Sequence, residues 1–194
     1  MKEFILIKYL HYQKTYGLDC SLRCIENNGS FNTYYNIIER TITFENLNNH
    51  CLKFKSEQDK YNFISSVFAH EYRHALVHIN SSFLNRIILV LDALRLLLEM
   101  VIKKKKRTLI VILLFSSIFF DNFNLWTYFW LFSATLNLPV VLSEFDANIF
   151  AIKKEGYHRG LLMGQVSYLI APLAYVGIGL LPQVIPFIEN LIFK

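Results

Sequence analysis

The chain has 194 residues, enough for one domain with its own core. Hydrophobic residues make up 54% and charged residues 18%, against roughly 45–50% and 25% in a typical soluble domain. That balance excludes a disordered chain and argues against an ordinary cytosolic enzyme. Most of the net charge of +5 sits in one block, Lys103 to Lys106 with Arg107, so nucleic acid is not expected as a partner. A basic block between apolar runs reads instead as a cytoplasmic membrane-edge anchor.

Seven Gly and four Pro are too few for a turn-dense all-β protein. The expected fold is mainly α (α+β), with a short strand or hairpin region and membrane helices. Residues 1–10 form a short apolar run containing Lys2 and Lys8, too short to span a bilayer and with no small-residue cleavage site after it. Cys20, Cys24 and Cys51 are odd in number and suit a reducing compartment. With His50 they match no standard metal spacing and read as idle or buried thiols. Between two Asn-rich stretches, residues 37–44 end in alternating Thr41, Ile42, Thr43 and Phe44, which predicts a strand, half of a hairpin.

Ser56 with Asp59 is a capping-box-like pair, and Glu57 suits the first turn of a helix. From there Tyr61, Ile64, Phe68, Tyr72, Ala75 and Ile79 recur in steps of three and four, which predicts an amphipathic helix of about six turns. Residues 83–102 are apolar but carry Arg86, Asp92, Arg95 and Glu99, so they are expected to lie as an amphipathic helix against the protein or the interface. Residues 108–120, 125–142 and 161–182 are uncharged, and are expected to form a membrane hairpin followed by a C-terminal membrane helix. The chain therefore divides into 1–55, a polar region with strand or hairpin; 56–107, the two amphipathic helices; and 108–194, the membrane hairpin, a ligand helix and the last membrane helix. Together these make one catalytic unit.

Within the capped helix stands His70-Glu71-Tyr72-Arg73-His74, an H-E-x-x-H pattern. Two His at i and i+4 lie a turn apart on one face, so both imidazoles can reach one Zn²⁺. Glu71 is placed to act as general base on a zinc-activated water. A catalytic zinc needs a third protein ligand. The candidates are Glu144, a carboxylate straight after a long apolar helix, and His78, a further turn along the first helix. Successive steps of four drift by about 40°, so three such His splay away from one metal. Glu144 is preferred, and His78 is expected in the cleft or behind a ligand. If residues 108–142 form a hairpin, Glu144 returns to the side that holds His70 and His74. The basic block before it, with Lys153, Lys154 and Arg159 after it, places that side in the cytoplasm.

These residues resemble the bacterial membrane-associated neutral zinc metallopeptidases of the YugP type, relatives of the HtpX-like and CAAX prenyl protease zinc peptidases. The resemblance covers about residues 30 to 180. It rests on residues 34–44, on Ala69-His70-Glu71 through His74-Ala75 to His78, and on Leu138-Pro139 followed by Glu144-Phe145-Asp146-Ala147. It implies His70, His74 and Glu144 as zinc ligands and Glu71 as catalytic base. It also implies a multi-pass bacterial cell-membrane location with peptide or protein substrates and membrane lipids as partners. Asp146 matches the family's second carboxylate and is expected to orient a ligand. Asn148 stands where wider relatives often carry Asp, and its amide oxygen can accept from a ligand imidazole. Arg73 replaces the usual Gly, and is expected to reach a cleft, a carboxylate such as Asp146, or lipid headgroups. Tyr157, His158 and Arg159 are candidate oxyanion partners or membrane-edge anchors. Gly156, Gly160 and Gly164 suit close helix packing, with a turn and helix start as the other reading of Gly156. The strand at 41–44 is a candidate to pair with an extended substrate. The function expected is a membrane-associated zinc metalloendopeptidase; the alternative is an inactive membrane scaffold or immunity-type protein that keeps the fold.

Overall fold

The computed structural model describes residues 1–27, 29–47, 54–80, 87, 90, 91, 94, 100, 104, 123–156 and 158–192. The order is α1 (Lys2–Tyr16), β1 (Ser21–Ile25), β2 (Asn32–Asn36), β3 (Thr41–Glu45), α2 (Glu57–Ile79), α3 (Phe123–Glu155) and α4 (Arg159–Ile192). The fold is mostly helical with a three-stranded sheet, the expected α+β class. The chain divides into two compact units: Met1–Arg86 with Ser143–Gln165, and Ile87–Leu142 with Val166–Lys194.

In the first unit the sheet order is β1-β3-β2, with β1 parallel and β2 antiparallel to β3. The predicted hairpin is present, but its second strand starts later than residue 37. Asn36 Oδ1 accepts from the amides of Ile38 and Glu39 at 3.0 and 3.2 Å, and Arg40 takes a φ of 49°. This side-chain-stabilised turn uses up residues 37–40. Thr41 to Phe44 are all buried, as befits a central strand. The buried Thr41 hydroxyl is satisfied by Ser21 Oγ at 2.6 Å and by the Glu39 carbonyl.

Helix α2 begins where its cap dictates. Ser56 Oγ accepts from the Asp59 amide at 3.1 Å. The return bond goes one residue upstream of a standard capping box: Asp59 Oδ2 accepts from the Lys55 amide. Its apolar stripe, Ile64, Phe68, Tyr72 and Ala75, is fully buried with Ile42 and Phe44 of β3. Helix α1 has no counterpart in the sequence reading of residues 1–10. It joins the core through Ile5 and Tyr12, and Tyr12 stacks edge-on against Phe68 and Tyr72 at 5.3 and 5.1 Å. Glu155, at the end of α3, accepts from Tyr12 Oη at 2.8 Å and from Lys8 Nζ at 2.6 Å. α1 thus holds the end of α3 in place.

Gly156 ends α3 at a φ of 87°, a helix stop rather than a packing surface. Gly160 is the close approach: a Cβ there would lie 2.6 Å from the Phe63 ring.

The second unit contains the uncharged part of α3 and most of α4. Trp126 Nε1 donates to the Ile178 carbonyl and Thr127 Oγ1 to the Gly179 carbonyl, each at 2.9 Å. Residues 125–142 and the Glu144 motif belong to one continuous helix, α3, so the ligand helix is not a separate element. Among the described residues no helix is long and apolar enough to cross a membrane. Residues 108–120, most of 83–102, and the basic block apart from Lys104 lie outside the described residues.

Candidate metal centre

The site lies within the first unit, between α2 and the part of α3 that follows Ser143. Ala69 and Ala75 on α2 and Ala147 and Ala151 on α3 are fully buried. Helical spacing then sorts the side chains of α3. Glu144 and Asn148 are one turn apart on one face, whereas Asp146, two residues on from Glu144, is rotated by about 200°.

Glu144 projects between the two histidines. Its Oε2 lies 3.1 Å from His70 Nε2 and its Oε1 3.4 Å from His74 Nε2, and the two Nε2 atoms are 3.1 Å apart. Ligand atoms held about 2.0–2.1 Å from a tetrahedral zinc stand about 3.3–3.4 Å from each other. The two Nε2 atoms are close to that spacing, each faces a different oxygen of the Glu144 carboxylate, and one ligand atom from each residue lies within 4.8 Å of the others. Among the described residues this is the one group of three or more His, Cys, Asp or Glu side chains that could hold a metal ion.

The outer nitrogens explain the direction of the inner ones. Asn148, 3% exposed, accepts through Oδ1 from His70 Nδ1 at 2.9 Å. An amide oxygen only accepts, so Nδ1 carries the hydrogen and Nε2 is left as a bare lone pair. His74 Nδ1 lies 3.3 Å from Ser143 Oγ, a hydroxyl that can accept from Nδ1–H and so is compatible with a bare Nε2 on His74 as well. Two imidazole lone pairs and a carboxylate therefore converge on one point, and such a group of acceptors calls for a cation.

Protons compete with a cation for these acceptors, and the pKa shifts describe the protonated alternative, in which the imidazoles donate to Glu144. Burial works against ionised Glu144, but the hydrogen-bonding His70 and His74 outweigh it and hold the carboxyl at about 2. Burial also lowers His70, yet the Glu144 hydrogen bond and the Glu71 and Glu144 charges raise it overall. Glu71 is 7% exposed, and burial raises its pKa against the pull of His70 and His74. The Tyr35 backbone amide hydrogen-bonds to it, so β2 lies beside the candidate base.

The other expected residues fall in different places. Asp146 does not orient a ligand; Arg73 Nε donates to its Oδ2 at 2.6 Å. Of the destinations expected for Arg73, the carboxylate is the one occupied, with the Phe150 ring 5.5 Å from its guanidinium carbon. His78 does not join the ligand group, and its Nδ1 lies 2.9 Å from Tyr35 Oη. His158 does not reach over the site. Its Nε2 meets Asp59 Oδ1 at 3.2 Å, in the first turn of α2 and three turns from His70, and its Nδ1 accepts from the Gly160 amide. Arg159 is exposed at the start of α4, and Tyr157 lies outside the described residues. The candidate substrate strand also needs correction: β3 is paired on both sides, and β1 and β2 are the edges, of which β2 lies beside Glu71.

Sequence reasoning missed Ser143 and Tyr35. The signal for Ser143 was its place next to Glu144. Tyr35 gave none, because its role depends on the sheet lying against α2. Cys20 is buried and Cys24 half-buried, both as free thiols, and His50 and Cys51 lie outside the described residues.

No family model, curated protein or solved structure matches the chain.

Proposed function

We propose that this chain is a membrane-associated zinc metalloendopeptidase, with His70, His74 and Glu144 as ligands and Glu71 as general base. The observation that carries the reading is the convergence of His70 Nε2, His74 Nε2 and the Glu144 carboxylate, one ligand atom from each lying within 4.8 Å of the others. Zinc, when bound, supplies a Lewis acid that polarises a carbonyl and acidifies water. The chain's own residues do the remaining work. Asn148 holds the His70 ring in the ligating tautomer. Glu71, next in sequence to His70 and buried, receives the proton as water adds to the peptide carbonyl and returns one to the leaving amine. An extended substrate adds to the edge strand β2, whose Tyr35 amide lies against Glu71.

Membrane association is supported by the second unit. Tyr128, Phe132, Leu142, Ile170 and Leu173 are each more than half exposed, on helix stretches without a charged residue. The basic block is read as facing the cytoplasm, and a tag at residue 105 found outside the cell would overturn that orientation.

The test is cleavage of an unfolded casein by the purified, zinc-loaded chain. The wild type cleaves; Glu71→Gln retains its zinc and does not. A wild type without zinc, or a Glu71→Gln variant that cleaves like the wild type, overturns the reading.

A further inference from the structure

Peptide hydrolysis places negative charge on the carbonyl oxygen as the C–O bond to water forms and the π pair moves onto oxygen. A donor aimed at that oxygen is worth as much as any other part of such a site. His158, an expected donor, is held by Asp59, and Asp146 is held by Arg73. A different pair remains beside the base.

Tyr35 touches the neighbourhood of the site twice. Its main-chain amide hydrogen-bonds to Glu71, and its hydroxyl lies 2.9 Å from His78 Nδ1. His78 follows His74 by one helical turn, as His74 follows His70, so it stands next along the ligand face with about 40° of drift. That drift takes it off the ligand point and towards β2, where Tyr35 meets it. A phenol hydroxyl can donate to a bare ring nitrogen or accept from a ring N–H; in the first arrangement the Tyr35 hydroxyl donates to His78 Nδ1. His78 then carries its hydrogen on Nε2, for which no partner is recorded among the described residues. The surroundings favour these protonation states: burial pushes Tyr35 up to about 12, and burial with the nearby Arg40 charge lowers His78, so the phenol keeps its proton and the imidazole stays neutral.

We propose that Tyr35 and His78 form a donor pair for the substrate carbonyl oxygen, with His78 Nε2–H giving the hydrogen bond and the Tyr35 hydroxyl fixing the His78 tautomer; this rests on the peptidase reading above. His78 is the catalytic member and Tyr35 the positioning one. The pair lies where β2, the proposed substrate strand, meets the helix that carries the base. One element thus aligns the substrate and orients the donor. No proton is transferred by His78; the water's proton goes to Glu71.

The test compares wild type, His78→Gln and Tyr35→Phe as purified full-length chains. Three quantities are read: zinc content, steady-state cleavage of a fluorogenic peptide, and binding of a phosphinic analogue of that peptide. The analogue's tetrahedral oxygen mimics the transition state, so it reports the donor without turnover. His78→Gln is expected to lower kcat by about 100- to 1,000-fold with KM almost unchanged. It is expected to weaken the phosphinic peptide by a similar factor and to leave zinc content as in wild type. Tyr35→Phe is expected to lower kcat by about tenfold in the same pattern. A His78→Gln variant that cleaves and binds the analogue like wild type, or that loses its zinc, overturns the proposal while the wild type's own cleavage leaves the peptidase reading standing. If His78→Gln does not fold, a Tyr35→Phe variant with unchanged kcat and analogue binding overturns it. A wild type that holds no zinc and cleaves nothing overturns both.

Discussion

Replacing Asn148 by Ala tests how the ligand geometry is held. Asn148 is buried and its side-chain oxygen accepts from His70 Nδ1 at 2.9 Å. Ala removes that acceptor and leaves a buried N–H without a partner, which costs about 1–3 kcal/mol. The same bond keeps Nε2 bare and aimed at His74 and Glu144, so its loss falls on metal binding. Loss of an outer partner of this kind weakens metal affinity by about 10- to 100-fold, or about 1.4–2.7 kcal/mol at 1.36 kcal/mol per decade. The assay is zinc competition against a chromophoric chelator at neutral pH. Asn148→Asp restores an acceptor at the same place and is expected to bind zinc at least as tightly as wild type. An Asn148→Ala chain with zinc affinity within about twofold of wild type would refute the role given to this bond.

Three further outcomes concern the fold. Ser56→Ala removes the cap on the helix that carries the motif and is expected to lower unfolding free energy by about 1 kcal/mol in urea; no change would show that the cap is redundant. Gly160→Ala puts a methyl 2.6 Å from the Phe63 ring, an overpacking expected to cost about 1–3 kcal/mol, and a melting temperature equal to wild type would contradict that close approach. Burial raises the Cys20 thiol to about 11, so at about pH 8 only about one in a thousand is thiolate. Cys20 is expected to resist iodoacetamide until the chain unfolds, as read by peptide mass mapping, and native labelling at the rate of a free thiol would count against its burial.

The features legible in the sequence were those written within one or two helical turns. The Ser56 cap, the apolar stripe of α2, the pairing of His70 with His74, and the spacing of Glu144 and Asn148 all follow from a helical period. Asn148 was expected, from the resemblance, to accept from a ligand imidazole; the structure supplies that imidazole as His70. What was lost depended on distant contacts. Helix α1 mixes Lys2, Lys8 and Lys14 with its buried Ile5 and Tyr12, so its periodicity is weak, though Gly17 marks its end at a φ of 63°. β1 is five residues long and finds its parallel partner β3 twenty residues later. His158 looked available until Asp59, 99 residues earlier in the chain, was found beside it. Asp146 was expected to orient a ligand because it matches the second carboxylate of the resembled family, and two steps along the helix turned it to Arg73 instead. The edge strand was misjudged for the same reason: Thr41 to Phe44 has the stronger strand pattern because it is central, and a central strand has no free side.

Metal analysis of the purified chain tests the central claim most directly. About one zinc per wild-type chain is expected, falling close to zero in His70→Ala and in His74→Ala while the fold is retained by circular dichroism. A folded wild-type chain that neither contains zinc nor takes it up from a zinc buffer would contradict the account.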